Sequence, residues 1–406
     1  MPLTLKAAGY LDVEAGEIVR PGIVKVDGDR IVGLGGEVEG EVIDLGDNIL
    51  LPGLMDMEVN LLMGGRGENP GLSQVQDDPP TRVLRAVGNA RRTLHAGFTT
   101  VRNLGLFVKT GGYLLDVALG KAIDGGLIEG PRIVPAGHAI TPTGGHLDPT
   151  MFAAFMPGVL ELTVEEGIAN GVDEIRKAVR YQIKHGAQLI KVCCSGGVMS
   201  LTGSAGAQHY SDEELAAIVD EAHRRGLRVA AHTHGAEAVK HAVGVGIDCI
   251  EHGFLIDDEA IALMVDNGTF LVSTRRLAEG MDVSKAPPEL QAKAAEMFPK
   301  ARTSIKAAYE AGVKIAVGTD APAIPHGRNA DELVTLVEWG LPAAAVLKAA
   351  TVTAAELINV TDRGRLAEGL LADIIAVPGD PLSDITVTKD VRFVMKGGKV
   401  YVHKQD

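Results

Sequence analysis

A chain of 406 residues is long enough for one large α/β barrel with an appendage, or for two or three smaller domains. Hydrophobic residues at 46% and charged residues at 23% are the balance of a globular protein with a sizeable core. A formal net charge of −14 and only 4% aromatic residues speak against a nucleic-acid partner, which needs basic patches and stacking platforms.

Cys193, Cys194 and Cys249 are too few and too oddly placed for a disulfide framework, so a reduced, cytoplasmic setting is expected. The start, Met1-Pro2-Leu3-Thr4-Leu5-Lys6, lacks the basic and apolar regions of a signal peptide. No apolar run reaches the roughly 18 residues of a membrane span, and no membrane partner is expected.

Residues 1–50 read as short strands: Gly22–Val26 runs through Asp27-Gly28, a hairpin signal, into Arg30–Leu34. From residue 51 to 360, eight short apolar strands alternate with amphipathic helices, the pattern of parallel α/β architecture. The strands are Gly53–Met57, Thr100–Leu104, Arg132–Ala136, Leu189–Cys193, Arg228–His232, Cys249–His252, Thr269–Ser273 and Val313–Asp320. Eight is the number that closes a (β/α)8 TIM-like barrel. Ser211-Asp212-Glu213-Glu214 is a capping box opening the helix between the fourth and fifth strands. From 361 to 406 the strand texture returns, with Ala372–Val377, Val391–Met395 and Val400–Val402. The two β-rich ends are expected to form one small β-sandwich domain, with the barrel inserted between them.

The polar residues fall at informative places. Lys191 follows an apolar pair in its strand, and His232, His252 and Asp320 each end one. In a parallel barrel the C-terminal strand ends meet at one mouth, so these four side chains would converge. Imidazole and carboxylate suit zinc and its neighbours, and a bound metal lowers the pKa of water to about 7. A cationic lysine is an odd ligand, but carbamylation by carbon dioxide makes it an anionic one.

At these residues the chain resembles the amidohydrolase superfamily, nearest the imidazolonepropionase-like and Xaa-Pro or Xaa-Arg/Lys dipeptidase branch. The matching pieces are Leu51-Pro52-Gly53-Leu54-Met55-Asp56-Met57, Gly97–Asn103, Lys191–Met199, Ala231-His232-Thr233-His234-Gly235, Ile250-Glu251-His252-Gly253, Gly318-Thr319-Asp320-Ala321, Pro325–Ala330 and Leu371–Ile375. Each is weak alone, but together they span nearly the whole chain in family order. The resemblance implies a metal-dependent hydrolase of amide-type C–N bonds in small molecules, on a barrel with a β-sandwich built from both termini. It implies carbamylated Lys191 as a bridging ligand and His232 and His252 as ligands of a second metal, with zinc expected there. Asp320 would ligate the first metal and act as general base.

One departure stands out. Where the family carries His-x-His at the end of the first strand, this chain has Glu58-Val59-Asn60. Glu58 and Asn60 offer oxygen ligands, so the first site is expected to hold a harder ion such as manganese, or none; the alternatives are Glu58 paired with an uncarbamylated Lys191 and Asn60 as a hydrogen-bonding residue lining the mouth. One or two divalent ions per chain remain open. Loss of turnover, leaving a binding protein, and ester or lactone hydrolysis on the same site are the alternatives.

His146, in the loop after the third strand, is a candidate for substrate contact and catalysis, against a loop-stabilising role. His234, two residues past His232, and His326, after the last strand, are candidate substrate-binding residues; His326 and Asn329 have helix capping as the equal alternative. Cys193 and Cys194 read as apolar filler rather than nucleophiles. His95, His185, His223 and His241 lie in helical segments. Leu61–Gly67 is an apolar lip suited to a hydrophobic acyl or aryl group, and a homo-oligomer would be ordinary for this fold.

Overall fold

The computed structural model describes residues 3–64, 73, 75–149, 156–200, 203–284 and 286–404. The Gly65-Arg66-Gly67 end of the apolar lip lies outside them.

Seven strands precede the barrel: β1 (Leu3–Ala7), β2 (Gly9–Asp12), β3 (Glu17–Val19), β4 (Gly22–Asp27), β5 (Arg30–Leu34), β6 (Glu41–Asp44) and β7 (Asn48–Pro52). Then come β8 (Leu54–Val59), β9 (Phe98–Asn103), β10 (Arg132–Pro135), β11 (Ile190–Cys193), β12 (Val229–Gly235), β13 (Cys249–Leu255), β14 (Phe270–Val272) and β15 (Ile315–Ala316). The last three are β16 (Ile374–Pro378), β17 (Phe393–Lys396) and β18 (Lys399–His403).

The ends of the chain share two sheets, ordered β5-β4-β1-β6 and β18-β17-β16-β7-β2-β3. β16 runs antiparallel to β7 with Ile375 opposite Leu51, so the junction of sheet and barrel uses both ends. Strand alternation explains the packing. Leu50, Ile374, Ala376 and Phe393 face Leu5, Val24, Val26 and Ile31 of the other sheet in one core. Their sequence neighbours Ile49, Leu51, Ile375 and Val394 point the other way, into the main core of the barrel. A strand buried on both faces has no solvent side to carry alternating polar residues, which is why Ile49-Leu50-Leu51-Pro52 and Ile374-Ile375-Ala376-Val377 carry no alternation.

The eight parallel strands form two arcs, β10-β9-β8 and β11-β12-β13-β14-β15. Backbone hydrogen bonds join both seams: Ile140 N donates to Lys191 O at 2.8 Å on one side, and Met57 N to Val317 O at 2.8 Å on the other. Helices Pro79–His95, Leu115–Asp124, Gly171–His185, Asp212–His223, Ala236–Gly244, Asp258–Asn267 and Pro288–Ala311 lie between strands. The capping box is present: Glu214 N donates to Ser211 Oγ, and Ser211 N to Glu214 Oε2 at 2.9 Å. No helix among the described residues is long and apolar enough to cross a membrane.

Several strand ends at the mouth differ from the boundaries that the apolar runs suggest. The last strand keeps only Ile315–Ala316, because Thr319 and Asp320 leave the ladder to donate their N–H groups to Glu58 O, and Asp320 takes a positive φ of 54°. β12 and β13 extend past His232 and His252, to Gly235 and Leu255.

Candidate metal centre

Four of the strands and the turn after a fifth deliver polar side chains to the C-terminal mouth. Glu58 comes from β8, Lys191 from β11, His232 and His234 from β12, His252 from β13, and Asp320 from the turn after β15. Glu58, Lys191 and the three histidines are all more than nine-tenths buried. Lys191 Nζ donates to Glu58 Oε1 at 3.0 Å, and His252 Nε2 lies 3.6 Å from the same oxygen. Burial alone would depress the Lys191 pKa, but Glu58 and Glu251 outweigh it and raise it above its ordinary value.

The three histidines form a cluster whose nitrogens lie within 4.8 Å of one another. The His232 and His252 rings meet edge-on at 4.7 Å, and His234 stacks on His252 at 5.0 Å. Burial drives the pKa of each downward, to about 3 for His234, so all three are neutral nitrogen donors. His252 has a positive φ of 72°, and Thr274, at 49°, places Oγ1 2.8 Å from His252 Nδ1. Strained backbone at these two packed residues is sustained by the fixed orientation of this imidazole. Fixing one ring nitrogen leaves Nε2 to face the mouth.

His146 also reaches the centre. Its ring stacks on His232 with centroids 3.8 Å apart, and its Nδ1 lies 2.8 Å from Ser200 Oγ. Gly197 makes room for this pair: a Cβ there would lie 2.6 Å from His146 Cε1 and 3.0 Å from His232 Nε2.

Asp320 is held differently from an ordinary surface carboxylate. Burial pushes its pKa up to about 7, against the pull of Lys191, and the Asp56 and Glu251 charges add to the rise. Asp56, a residue of the first-strand motif with no role legible from sequence, anchors the turn. It accepts from Thr319 N at 3.0 Å, Thr319 Oγ1 at 2.6 Å, Asn329 Nδ2 at 2.7 Å and Glu58 N at 3.1 Å. Asn329 is therefore part of the support beneath Asp320.

A second layer that sequence pattern did not assign lies under the histidines. Arg102 Nη2 donates to Glu251 Oε1 at 2.7 Å, both buried, and Arg102 Nε donates to Met57 O at 2.6 Å. A charged residue within each apolar strand, Arg102 in β9 and Glu251 in β13, was the available signal of an interior ion pair.

Two candidate residues sit differently from expectation. Asn60 lines the mouth, but its amide is committed to the backbone: Nδ2 donates to Gly105 O at 3.1 Å and Oδ1 accepts from Leu62 N at 3.3 Å. The structure does not bring His326 to the cavity at all. Its Nε2 donates to Met63 O at 3.1 Å from outside, because the turn after Asp320 carries it to the far side of the Leu61–Met63 segment. Cys193 and Cys194 are buried, with their thiol pKa values pushed up by burial, which leaves them unreactive filler.

The centre floors a cavity of about 300 Å³. Glu58, Lys191, His146, His232, His252 and Asp320 form its polar end, and Met63, Leu104, Phe107, Met199, Met281 and Val283 line much of the rest. The described part of the lip contributes Met63.

Known proteins share this arrangement of chain. Ochratoxinase of Aspergillus niger is 36% identical over 376 residues, covering 87% of this chain and 75% of that protein. A crystal structure of a Xaa-Pro dipeptidase with bound methionine in the active site superposes with a TM-score of 0.92 at 36% identity, covering 99% of this chain and 100% of that one. A prolidase complexed with N-methylphosphonate-L-proline gives 0.89 at 32% identity, over the full length of both chains. Such neighbours carry a TIM-barrel-like α/β fold with an extra domain, and residues 49–401 match the amidohydrolase family. The chain therefore belongs to the amidohydrolase family and is a hydrolase of that group.

Proposed function

We propose that this protein hydrolyses an amide-type C–N bond in a small molecule carrying a hydrophobic acyl or aryl group, with a divalent metal ion at the floor of the cavity. The supporting observation is the convergence of neutral histidines and acidic groups at the polar end of an otherwise apolar cavity. The names of the relatives agree with it, since ochratoxinase and the dipeptidases are hydrolases of this family.

The donor set fits a metal. His232, His234 and His252 present clustered, uncharged nitrogens, and Glu58 Oε2 is buried with no hydrogen-bond partner among the described residues. A buried carboxylate oxygen left unpaired is costly unless a cation faces it. His232 and His252 would hold the ion, zinc-like by ligand type, and Lys191 would join them as its carbamate on giving up its ion pair with Glu58. When bound, it supplies Lewis acidity toward the carbonyl oxygen and lowers the pKa of water.

The first site is the weaker one. Asn60 already bonds backbone groups through both ends of its amide, which leaves one lone pair of Oδ1 beside the Glu58 carboxylate to serve there. We read the protein as holding one ion tightly and a second, manganese-like ion weakly or not at all.

The chain's own groups do the proton work. Asp320, poised near pH 7, takes the proton as the oxygen of water bonds to the carbonyl carbon. It then passes that proton to the leaving nitrogen as the C–N bond breaks, giving a carboxylic acid and an amine. His146, neutral and stacked against His232, is placed to donate a hydrogen bond to the substrate's polar end. The apolar walls exclude water and seat the hydrophobic group.

The test is a panel of N-aroyl and N-acyl amino acids, dipeptides and aryl carbamates, assayed with protein of measured metal content. Chelation should abolish hydrolysis and one equivalent of zinc restore it. Full activity in metal-free protein would overturn the reading, and no turnover of any amide by metal-loaded protein would favour a binding role.

A further inference from the structure

On the outer side of the Leu61–Met63 segment lies a second depression, of about 670 Å³, open to solvent. Arg91, Arg92, Arg328, Lys389 and Lys404 line it, with His95 and His326, and no acidic residue is among its described lining. This is unexpected on a chain in which 53 acidic residues outnumber 39 basic ones. The cations come from four places distant in sequence: the end of helix Pro79–His95, the turn after β15, the 3₁₀ turn Ile385–Lys389 and the end of β18. The fold brings them together.

One explanation covers part of the set. Arg92 and His95 stand in the last turn of their helix, where cations complement the C-terminal dipole. Arg328, Lys389 and Lys404 have no such reason to be there. Their carboxylate partners lie outside the lining and are shared. Asp331 pairs with both Arg328 and Lys389, at 2.5 and 2.9 Å, and Asp390, 3.6 Å from Lys404, is already 2.6 Å from Arg392. Arg91 lies 3.5 Å from Glu129. The Arg91–Glu129 and Lys404–Asp390 pairs are exposed and worth little, so exchanging them for another anion costs little. Arg328 and Lys389 stay paired to buried Asp331, whose single charge leaves the two cations with a net positive charge facing the depression.

The floor is rigid. Arg92 Nη2 donates to Asn89 Oδ1, fully buried Asn89 donates from Nδ2 to Leu61 O at 2.8 Å and Met63 O at 2.9 Å, and His326 Nε2 donates to Met63 O. A fixed floor ringed by five cations, two of them weakly paired and two sharing one carboxylate, is a preorganised anion receptor.

We propose that this depression is a binding site for a small multivalent oxyanion, a phosphorylated metabolite, separate from the catalytic cavity. Three forked guanidinium groups favour phosphate, which they engage bidentately. No phenylalanine, tyrosine or tryptophan is among the described lining, so the ligand is recognised by its phosphate groups rather than by stacking of a base. The acidic surface elsewhere disfavours a long polyanion such as nucleic acid, which would have to cross it.

Inorganic pyrophosphate is the probe, titrated calorimetrically into the metal-loaded full-length protein at low and physiological ionic strength, alongside Arg91→Gln/Lys404→Gln and Arg91→Gln/Arg328→Gln, the second of which leaves Lys389 paired with Asp331. Saturable binding should weaken by about tenfold or more in each double variant, in line with the loss of charge-assisted contacts. Metal content and basal hydrolysis should be unchanged. Orthophosphate should bind more weakly than pyrophosphate, as a smaller charge requires. Absence of saturable binding at millimolar pyrophosphate would overturn the proposal. So would binding of equal strength in wild type and both variants, which would place the probe on the catalytic metal. Neither result depends on which substrate the enzyme cleaves.

Discussion

Gly197→Ala adds one methyl group where the chain after β11 passes over the histidines. The new Cβ would lie 2.6 Å from His146 Cε1, 2.8 Å from His146 Nδ1 and 3.0 Å from His232 Nε2, whereas ordinary contact begins near 3.4 Å. Either the His146–His232 stack retreats by most of an ångström or the loop lifts. Gly197 has no left-handed φ, so the substitution carries no backbone strain, and its whole effect is steric. Overpacking of this kind costs about 1–3 kcal/mol in the metal-free protein. Displacing a ligand and its neighbour should lower metal affinity by about 10- to 100-fold. The assay is metal retention after equilibrium dialysis against buffered zinc, with thermal unfolding of the metal-free protein beside it. Gly244→Ala is the control, since nothing lies within 4 Å of that position, and it should hold metal like wild type and be slightly more stable. A Gly197→Ala protein with wild-type zinc affinity would refute the close approach of this loop to His232.

His232→Ala and His252→Ala should each lose retained metal and hydrolysis together, read by metal analysis and turnover of a cleaved amide. Lys191 should carry a carbamate in active, metallated protein, seen in intact mass and promoted by bicarbonate; unmodified Lys191 in fully active protein would refute it. Glu58→His/Asn60→His should raise occupancy of the first site, measured as metals per chain after dialysis, whereas wild type should retain one. Arg102→Met should destabilise by about 3–5 kcal/mol, because it leaves Glu251 buried and unpaired, and adding Glu251→Leu should recover much of that loss in denaturant unfolding.

Local sequence pattern by itself determined much of this protein. Strand–helix alternation identified the eight parallel strands, and the hairpin at Asp27-Gly28 and the capping box at Ser211 are present. These features depend on local chemistry: periodicity, turn residues and side-chain caps act within a few residues of sequence. The convergence of Lys191, His232, His252 and Asp320 was also legible, because a polar residue inside or at the end of an apolar strand has few reasons to be there, and the family motifs order them.

Only the tertiary structure decided what depends on partners distant along the chain. Asn60 reads as a ligand or as a hydrogen-bonding mouth residue, and only the structure shows its amide bonded to Gly105 O and Leu62 N. His326 reads as a mouth residue until the turn after Asp320 carries it behind Met63. Asp56 and the Arg102–Glu251 pair acquire their roles only when segments separated by 149 to 273 positions close on one another. The cationic depression is the extreme case, since each of its residues alone is an ordinary surface charge. Charge and hydrogen bonding act through space, and side-chain pairing between remote segments is set by strand register and loop path, which local sequence pattern does not encode.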